Sequence, residues 1–153
     1  MTLQEKIDEN LVQAMKEKDE LKTSVLRMLK SAIKNKEIEK KSTLEESDII
    51  QVIQSQIKSR QDSIEMYKKG DRPELAEKEQ KEVAILKEHL PEQMPEEELR
   101  KKVKAAIQKT GAQEIKDMGK VMGILMAELK GKADGSTISR ITKEELQKSE
   151  NEN

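Results

Sequence analysis

The chain has 153 residues, of which 40% are charged and 1% aromatic, with 30 Lys/Arg against 31 Asp/Glu, a formal net charge of −1 and no cysteine. Disulfides, thiolate metal sites and cysteine nucleophiles are thereby excluded, and no apolar run approaches the roughly 18 residues that span a bilayer. Low hydrophobicity without high net charge, together with Leu, Ile, Val and Met recurring at helical spacing, predicts an all-α chain with a thin aliphatic core.

The N-terminus, MTLQEKIDENL, lacks the basic-then-apolar order of a secretory signal, and a cytoplasmic location is expected. Thr2 and Glu5 make a capping box for a first helix with Leu3, Ile7, Leu11 and Met15 on one stripe. Asp19 is an N-cap for a second helix that turns Leu21, Val25, Met28, Leu29, Ala32 and Ile33 inward, with Arg27, Lys30, Lys34 and Lys41 sharing its outer face. The basic KNKEIEKKS segment reads as a frayed end. Thr43 and Glu46 repeat the capping pattern ahead of a long helix to Lys69, lined by Ile49, Ile50, Val52, Ile53, Ile57 and Ile64 and stopped by Gly70.

Pro73 suits the first turn of a fourth helix carrying Leu75, Val83, Leu86 and Leu90. HLPEQMPEEEL then reads as a hinge, because Pro91 and Pro95 forbid a helix through it. Three shorter helices follow. The first carries Leu99, Val103, Ala106 and Ile107 and stops at Gly111; the second is capped by Asp117; the third starts near Ser136 and carries Ile138, Ile141 and Leu146. The expected architecture is a four-helix N-terminal domain over residues 1–92, a three-helix C-terminal domain over 93–149 and a disordered tail over 150–153.

Nothing in this pattern builds a reaction centre. The only histidine, His89, sits at a helix end, where an imidazole more often meets terminal carbonyls than does chemistry. There is no HExxH, no paired ligand spacing for a metal and no GxxxxGK[ST] phosphate loop, so neither cofactor nor metal is expected. The carboxylates alternate with lysines, as on solvated helix faces. The one aromatic, Tyr67, is too little for a base-stacking platform and reads as a rim residue.

Two features remain. From Arg100 to Lys143 there are eleven Lys/Arg against four Asp/Glu, and from Lys22 to Lys41 seven against two. Such runs are either ordinary solvated surface or a footprint for nucleic-acid phosphate. The stretch DMGKVMGILMAELKGKADG also holds four of the six glycines, Gly119, Gly123, Gly131 and Gly135, although a glycine inside a helix costs about 0.5–1 kcal/mol relative to alanine. Gly119 and Gly123, four residues apart, share a face and allow close backbone approach, either to a neighbouring helix or to a ligand. Gly131 and Gly135 bound a tight loop before a helix N-terminus, serving as stop and turn or as a phosphate cradle. The methionines Met118, Met122 and Met126 read as core, or as an adaptable binding face.

Three blocks, LRMLKSAIKNKEIEK, RQDSIEMYKKGDRPELAEKEQKEVAILKEHLPEQM and DMGKVMGILMAELKGKADGSTIS, resemble in order and spacing the stand-alone YqeY proteins of the GatB/YqeY family. The second half also resembles the tail of GatB, a subunit of the tRNA-dependent amidotransferase. That overlap rests on Gly123, Met126 and the run Gly131-Lys132-Ala133, with Asp134 where the tail usually has Asn. The resemblance implies the four-plus-three helical organisation and, by analogy with the tRNA-holding tail, a non-catalytic tRNA-associated accessory module. Its candidate RNA-binding residues are Lys116, Lys120, Lys130, Lys132 and Arg140, with Lys101, Lys102 and Lys104 as outer contacts, and its close-approach backbone lies at Gly119, Gly123, Gly131 and Gly135. Expected partners are tRNA and an amidotransferase or aminoacyl-tRNA synthetase, with neither membrane nor DNA. A protein–protein adaptor docking on such an enzyme is the first alternative. A carbon–nitrogen ligase with glutamine as amido donor is the second, and it follows the family by association only.

Overall fold

A computed structural model describes residues 1–152, and among them there are seven α-helices and no strand. They are α1 (Leu3–Lys16), α2 (Glu20–Lys40), α3 (Glu46–Lys69), α4 (Pro73–Lys87), α5 (Glu96–Thr110), α6 (Met118–Glu128) and α7 (Gly135–Glu152), with a 3₁₀ turn at Ile115–Asp117. The chain divides into two compact units, Met1–Leu90 and Pro91 onward, each with its own apolar core.

In the first unit Ile7 and Leu11 of α1, Leu26, Leu29 and Ile33 of α2, Ile49, Ile53 and Ile57 of α3, and Val83 and Leu86 of α4 pack together. Burying each such side chain is worth about 1.5–3 kcal/mol. The stripes depart from the sequence reading at two methionines. A step of four residues overshoots a helical turn by about 40°, so the series Leu3, Ile7, Leu11 has rotated off the core by Met15. Ala14 takes the inward position and Met15 is exposed. On α2, Leu26 is buried and Met28 is exposed, its sulfur 3.8 Å from a guanidinium nitrogen of Arg60.

The helix ends follow local chemistry where nothing distant interferes. The Thr2–Glu5 box closes α1, the Asp19 carboxylate accepts the Lys22 N–H at 3.0 Å, and Pro73 opens α4. Three ends differ from expectation. KNKEIEKKS does not fray: α2 continues to Lys40, whose ammonium lies 2.7 Å from Asp48. That hydrogen bond raises the Lys40 ammonium above its ordinary value. Asp48 also accepts the Glu45 N–H at 2.9 Å, so α3 is capped by a Glu45–Asp48 box instead of Thr43–Glu46. Past α3 the left-handed residue is Asp71, at φ 56°, while Gly70 stays at φ −85°. A short polar side chain tolerates that region by bonding locally.

Arg60 of α3 reaches Glu79 and Glu82 of α4 with its side chain only 11% exposed. Burial pushes the Glu82 carboxyl up and the Arg60 charge opposes it. Removing one partner of such a pair strands a buried charge, at a cost of about 3–5 kcal/mol. Arg60→Ala is therefore expected to lower the stability of the first unit by about 3 kcal/mol, read as a shifted denaturant midpoint. A shift no larger than that of an exposed-lysine control refutes the clamp.

Candidate nucleic-acid interface

The second unit carries the residues singled out for RNA. Its core is Leu99, Val103 and Ala106 of α5, Val121 and Leu125 of α6, Leu129 beyond it, and Ile138, Ile141 and Leu146 of α7. Gly111 ends α5 in the left-handed region at φ 72°. Asp117 works backwards from its expected role: its carboxylate accepts the N–H groups of Gln113 and Glu114 at 3.2 and 3.3 Å, closing the 3₁₀ turn. Those bonds hold the acid below its ordinary range. Residues 93 and 94 are bound within this unit, with the Met94 N–H on the Lys132 carbonyl at 2.9 Å and the Gln93 amide on the Gly131 carbonyl at 3.2 Å. The expected disordered tail instead extends α7 to Glu152, and Glu150 accepts the Ile115 N–H at 3.0 Å; the expectation for Asn153 lies outside the described residues.

The four glycines serve three ends. Gly131 takes φ 80°, which only glycine adopts freely. Gly135 makes room inside the unit, since a Cβ there would sit 3.3 Å from the ε-methyl of Met126. Gly119 and Gly123 do neither. Both are exposed, and a Cβ on either would meet nothing within 4 Å. Among the described residues, no close helix neighbour explains them. At about 100° per residue, Gly119, Gly123 and Met126 fall within about 60° of one another on α6. Met126 is 41% exposed, so the methionines are not uniformly core; Met118 and Met122 are partly buried and pack against the unit's apolar core.

The expected phosphate cradle at the start of α7 is already occupied by the chain. Asp134 accepts the Thr137 N–H at 2.9 Å and its hydroxyl at 2.7 Å, placing a carboxylate where a phosphate would sit.

The cations sort into two groups. Arg140 pairs with Glu96 at 3.2 Å and Glu144 at 3.0 Å, Lys116 with Glu114 at 2.9 Å, and Lys102 with Glu128 at 3.2 Å. The Glu144 and Glu96 hydrogen bonds raise Arg140, and that of Glu114 raises Lys116. Among the described residues no ion pair within 4.0 Å engages Lys101, Lys104, Lys120, Lys130 or Lys132. Lys130 and Lys132 lie in the turn after α6, and Lys120 lies beside Gly119 in sequence. Lys132 also borders a shallow hollow of about 340 Å³ with Glu92 and Glu98. The Lys102–Glu128 pair marks the side of α6 that faces α5. That side is about 140–180° around the helix from the two glycines. Lys102 therefore does not join the glycine face.

Sequence reasoning missed the role of Arg100. Its guanidinium reaches Glu96 at 3.1 Å, Glu144 at 2.6 Å and Glu145 at 3.0 Å, tying α5 to α7. Its partners on α7 lie 44 and 45 residues away, and no local pattern signals such a contact. No group of three or more His, Asp or Glu side chains placed to hold a metal occurs among the described residues. No helix among them is long and apolar enough to cross a membrane.

The sequence profile of the family described as "Yqey-like protein" matches residues 4–146. Among curated proteins, the chain is 39% identical over 85 residues to "Altered inheritance of mitochondria protein 41, mitochondrial" of Vanderwaltozyma polyspora, covering 55% of this chain and 46% of that protein. It is 32% identical over 139 residues to the protein of the same name from Pyrenophora tritici-repentis, covering 88% of this chain and 76% of the relative. The counterpart from Saccharomyces cerevisiae strain YJM789 is 38% identical over 87 residues, covering 56% of this chain and 46% of the relative. The chain spans about half the length of several curated relatives it matches. With nearly its whole length matched, this chain belongs to the YqeY family.

Proposed function

We propose that the chain is a non-catalytic, tRNA-associated accessory module whose second unit meets the RNA backbone along the open flank of α6. One observation carries the reading. Gly119 and Gly123 stand inside a helix, open to water, with no packing reason for their missing side chains. Gly123, in the helix interior, costs about 0.5–1 kcal/mol against alanine, and Gly119, in the first turn, costs less. A sugar–phosphate backbone approaching bare helix would account for that cost. Lys120, Lys130 and Lys132 supply ammonium groups near it, and contacts to phosphate and sugar read shape more than sequence. Arg140, Lys116 and Lys102 enter only as secondary contacts, because their charges are already paired. The likeness of Gly123, Met126 and Gly131-Lys132-Ala133 to the GatB tail supports the same choice of ligand. We place the module in the cytoplasm, with the mitochondrial names of its relatives as the competing compartment.

Binding of tRNA measured across a salt series tests the reading. Affinity is expected to fall linearly in log–log form, and Lys120→Glu with Lys130→Glu should weaken it at least tenfold and flatten the slope by roughly one unit per lost contact. No binding at low salt, or an unchanged slope in the double variant, rejects RNA. Retention of a protein partner after nuclease treatment would then favour the adaptor reading, which the exposed Met126 beside the glycines suits.

Replacing Gly119 and Gly123 by Ala separates fold from function. With open space at both positions, Gly123→Ala should stabilise the second unit by about 0.5–1 kcal/mol and Gly119→Ala, in the first turn, by less, while both weaken tRNA binding. Loss of stability would mean that the face is packed, and unchanged binding would remove the backbone-approach mechanism.

We also propose that the two units are independent domains, of four and three helices. Fragments cut between Leu90 and Pro91 should each unfold cooperatively in thermal melts, and a fragment without a transition refutes independence.

A further inference from the structure

His89 is 1% exposed, and both ring nitrogens are engaged. Nδ1 lies 3.0 Å from the Ile85 carbonyl, which can only accept, so Nδ1 carries the proton. In the neutral ring Nε2 is then a bare acceptor, and the Asn10 amide donates to it at 2.9 Å. Asn10 belongs to α1, and His89 lies just beyond the last turn of α4. Their side chains bridge 79 residues of sequence. On its other flank α1 is tied to α2 by Asp8 and Lys30 at 2.9 Å.

We infer that the Asn10–His89 hydrogen bond is an acid-sensitive latch, tying α1 to the chain just beyond α4 while the imidazole is neutral and weakening that tie when the ring is protonated.

A second proton would turn Nε2 into a donor facing the donor of Asn10. Rotating the Asn10 amide would offer its oxygen instead, but the cation would remain buried. The charged groups around it give little relief. Lys6 of α1 and Lys22 of α2 both oppose a positive ring, and Glu88, the favourable neighbour, is 3.7 Å from Lys22 and shares its charge with it. Burial is the largest influence and holds the ring below its ordinary value of 6.5, with the Ile85 carbonyl opposing. Because the folded state favours the neutral form, the unfolded or opened state binds more protons below that value. The latch is therefore complete above pH 6.5, weakens as pH falls through the interval down to the folded-state value, and is constant below it.

The chain has one histidine, so a proton NMR titration of the full-length protein reports this ring without assignment ambiguity. A midpoint below 6.5 is expected, and a midpoint at or above 6.5 overturns the latch. Hydrogen exchange corrected for intrinsic rates should show the amides of Leu11–Ala14 and of residues 85–90 opening more often on acidification, by up to about tenfold per pH unit within the window. His89→Gln keeps a hydrogen-bonding amide and cannot titrate, so its protection should be flat with pH; the wild-type pH dependence in that variant overturns the proposal. Asn10→Asp provides a check independent of whether the glutamine variant folds. A carboxylate beside the ring should raise the midpoint, and an unmoved midpoint shows that Asn10 does not face a titrating Nε2.

Discussion

The rest of the structure depends on burying narrow stripes of Leu, Ile and Val, because the chain has no Phe or Trp with which to fill a core. A three- or four-helix unit of this size closes only a small apolar volume, and small cores leave little stability after chain entropy is subtracted. In each unit arginine reaches across helices, Arg60 in the first and Arg100 and Arg140 in the second. Arg60 does so where solvent is nearly absent, so its pairing with Glu79 and Glu82 offsets a large desolvation cost and is sensitive to losing a partner. Arg100, at 28% exposure, meets Glu144 and Glu145 in a wetter setting, where each pair is worth a few tenths to about 1 kcal/mol and the value lies in fixing how α5 meets α7.

The same network changes the meaning of the basic run. Counted along the chain, residues 100–143 carry an excess of seven positive charges, eleven minus four. Counted in space, Glu96, Glu144 and Glu145 lie outside that window yet neutralise Arg100 and Arg140, while Lys102 and Lys116 meet acids within it. Among the described residues, those left without an ion pair are Lys101, Lys104, Lys109, Lys120, Lys130, Lys132 and Lys143, and these divide among α5, the region around α6 and α7. A sequence window overstates a binding surface whenever folding brings in acids from elsewhere.

How much was legible follows the range of each interaction. The all-α class and most core positions were legible because they rest on a 3.6-residue period. So were the caps at Thr2, Asp19 and Gly111, which act within a few residues. Thr43–Glu46 lost to Glu45–Asp48 because Asp48 also binds Lys40 across the turn, a choice that local cap preference cannot make. Met15 failed through accumulated helical drift, and the final turns of α7 were held by the Glu150–Ile115 bond, 35 residues apart. At the candidate site, lysine positions could be read but not their partners. The glycine cluster could be seen, but not that its members have different reasons for being glycine.

That difference bears on function more than the charges do. Gly131 answers to a backbone angle and Gly135 to the Met126 methyl, so the fold alone accounts for both. Gly119 and Gly123 lower helix stability without returning any packing. Flexibility is one use for a helical glycine, but it sets no angular preference around the axis. Two glycines four residues apart, both on the flank turned away from α5, do express one. That angular preference is what the proposed approach of an RNA backbone to α6 requires.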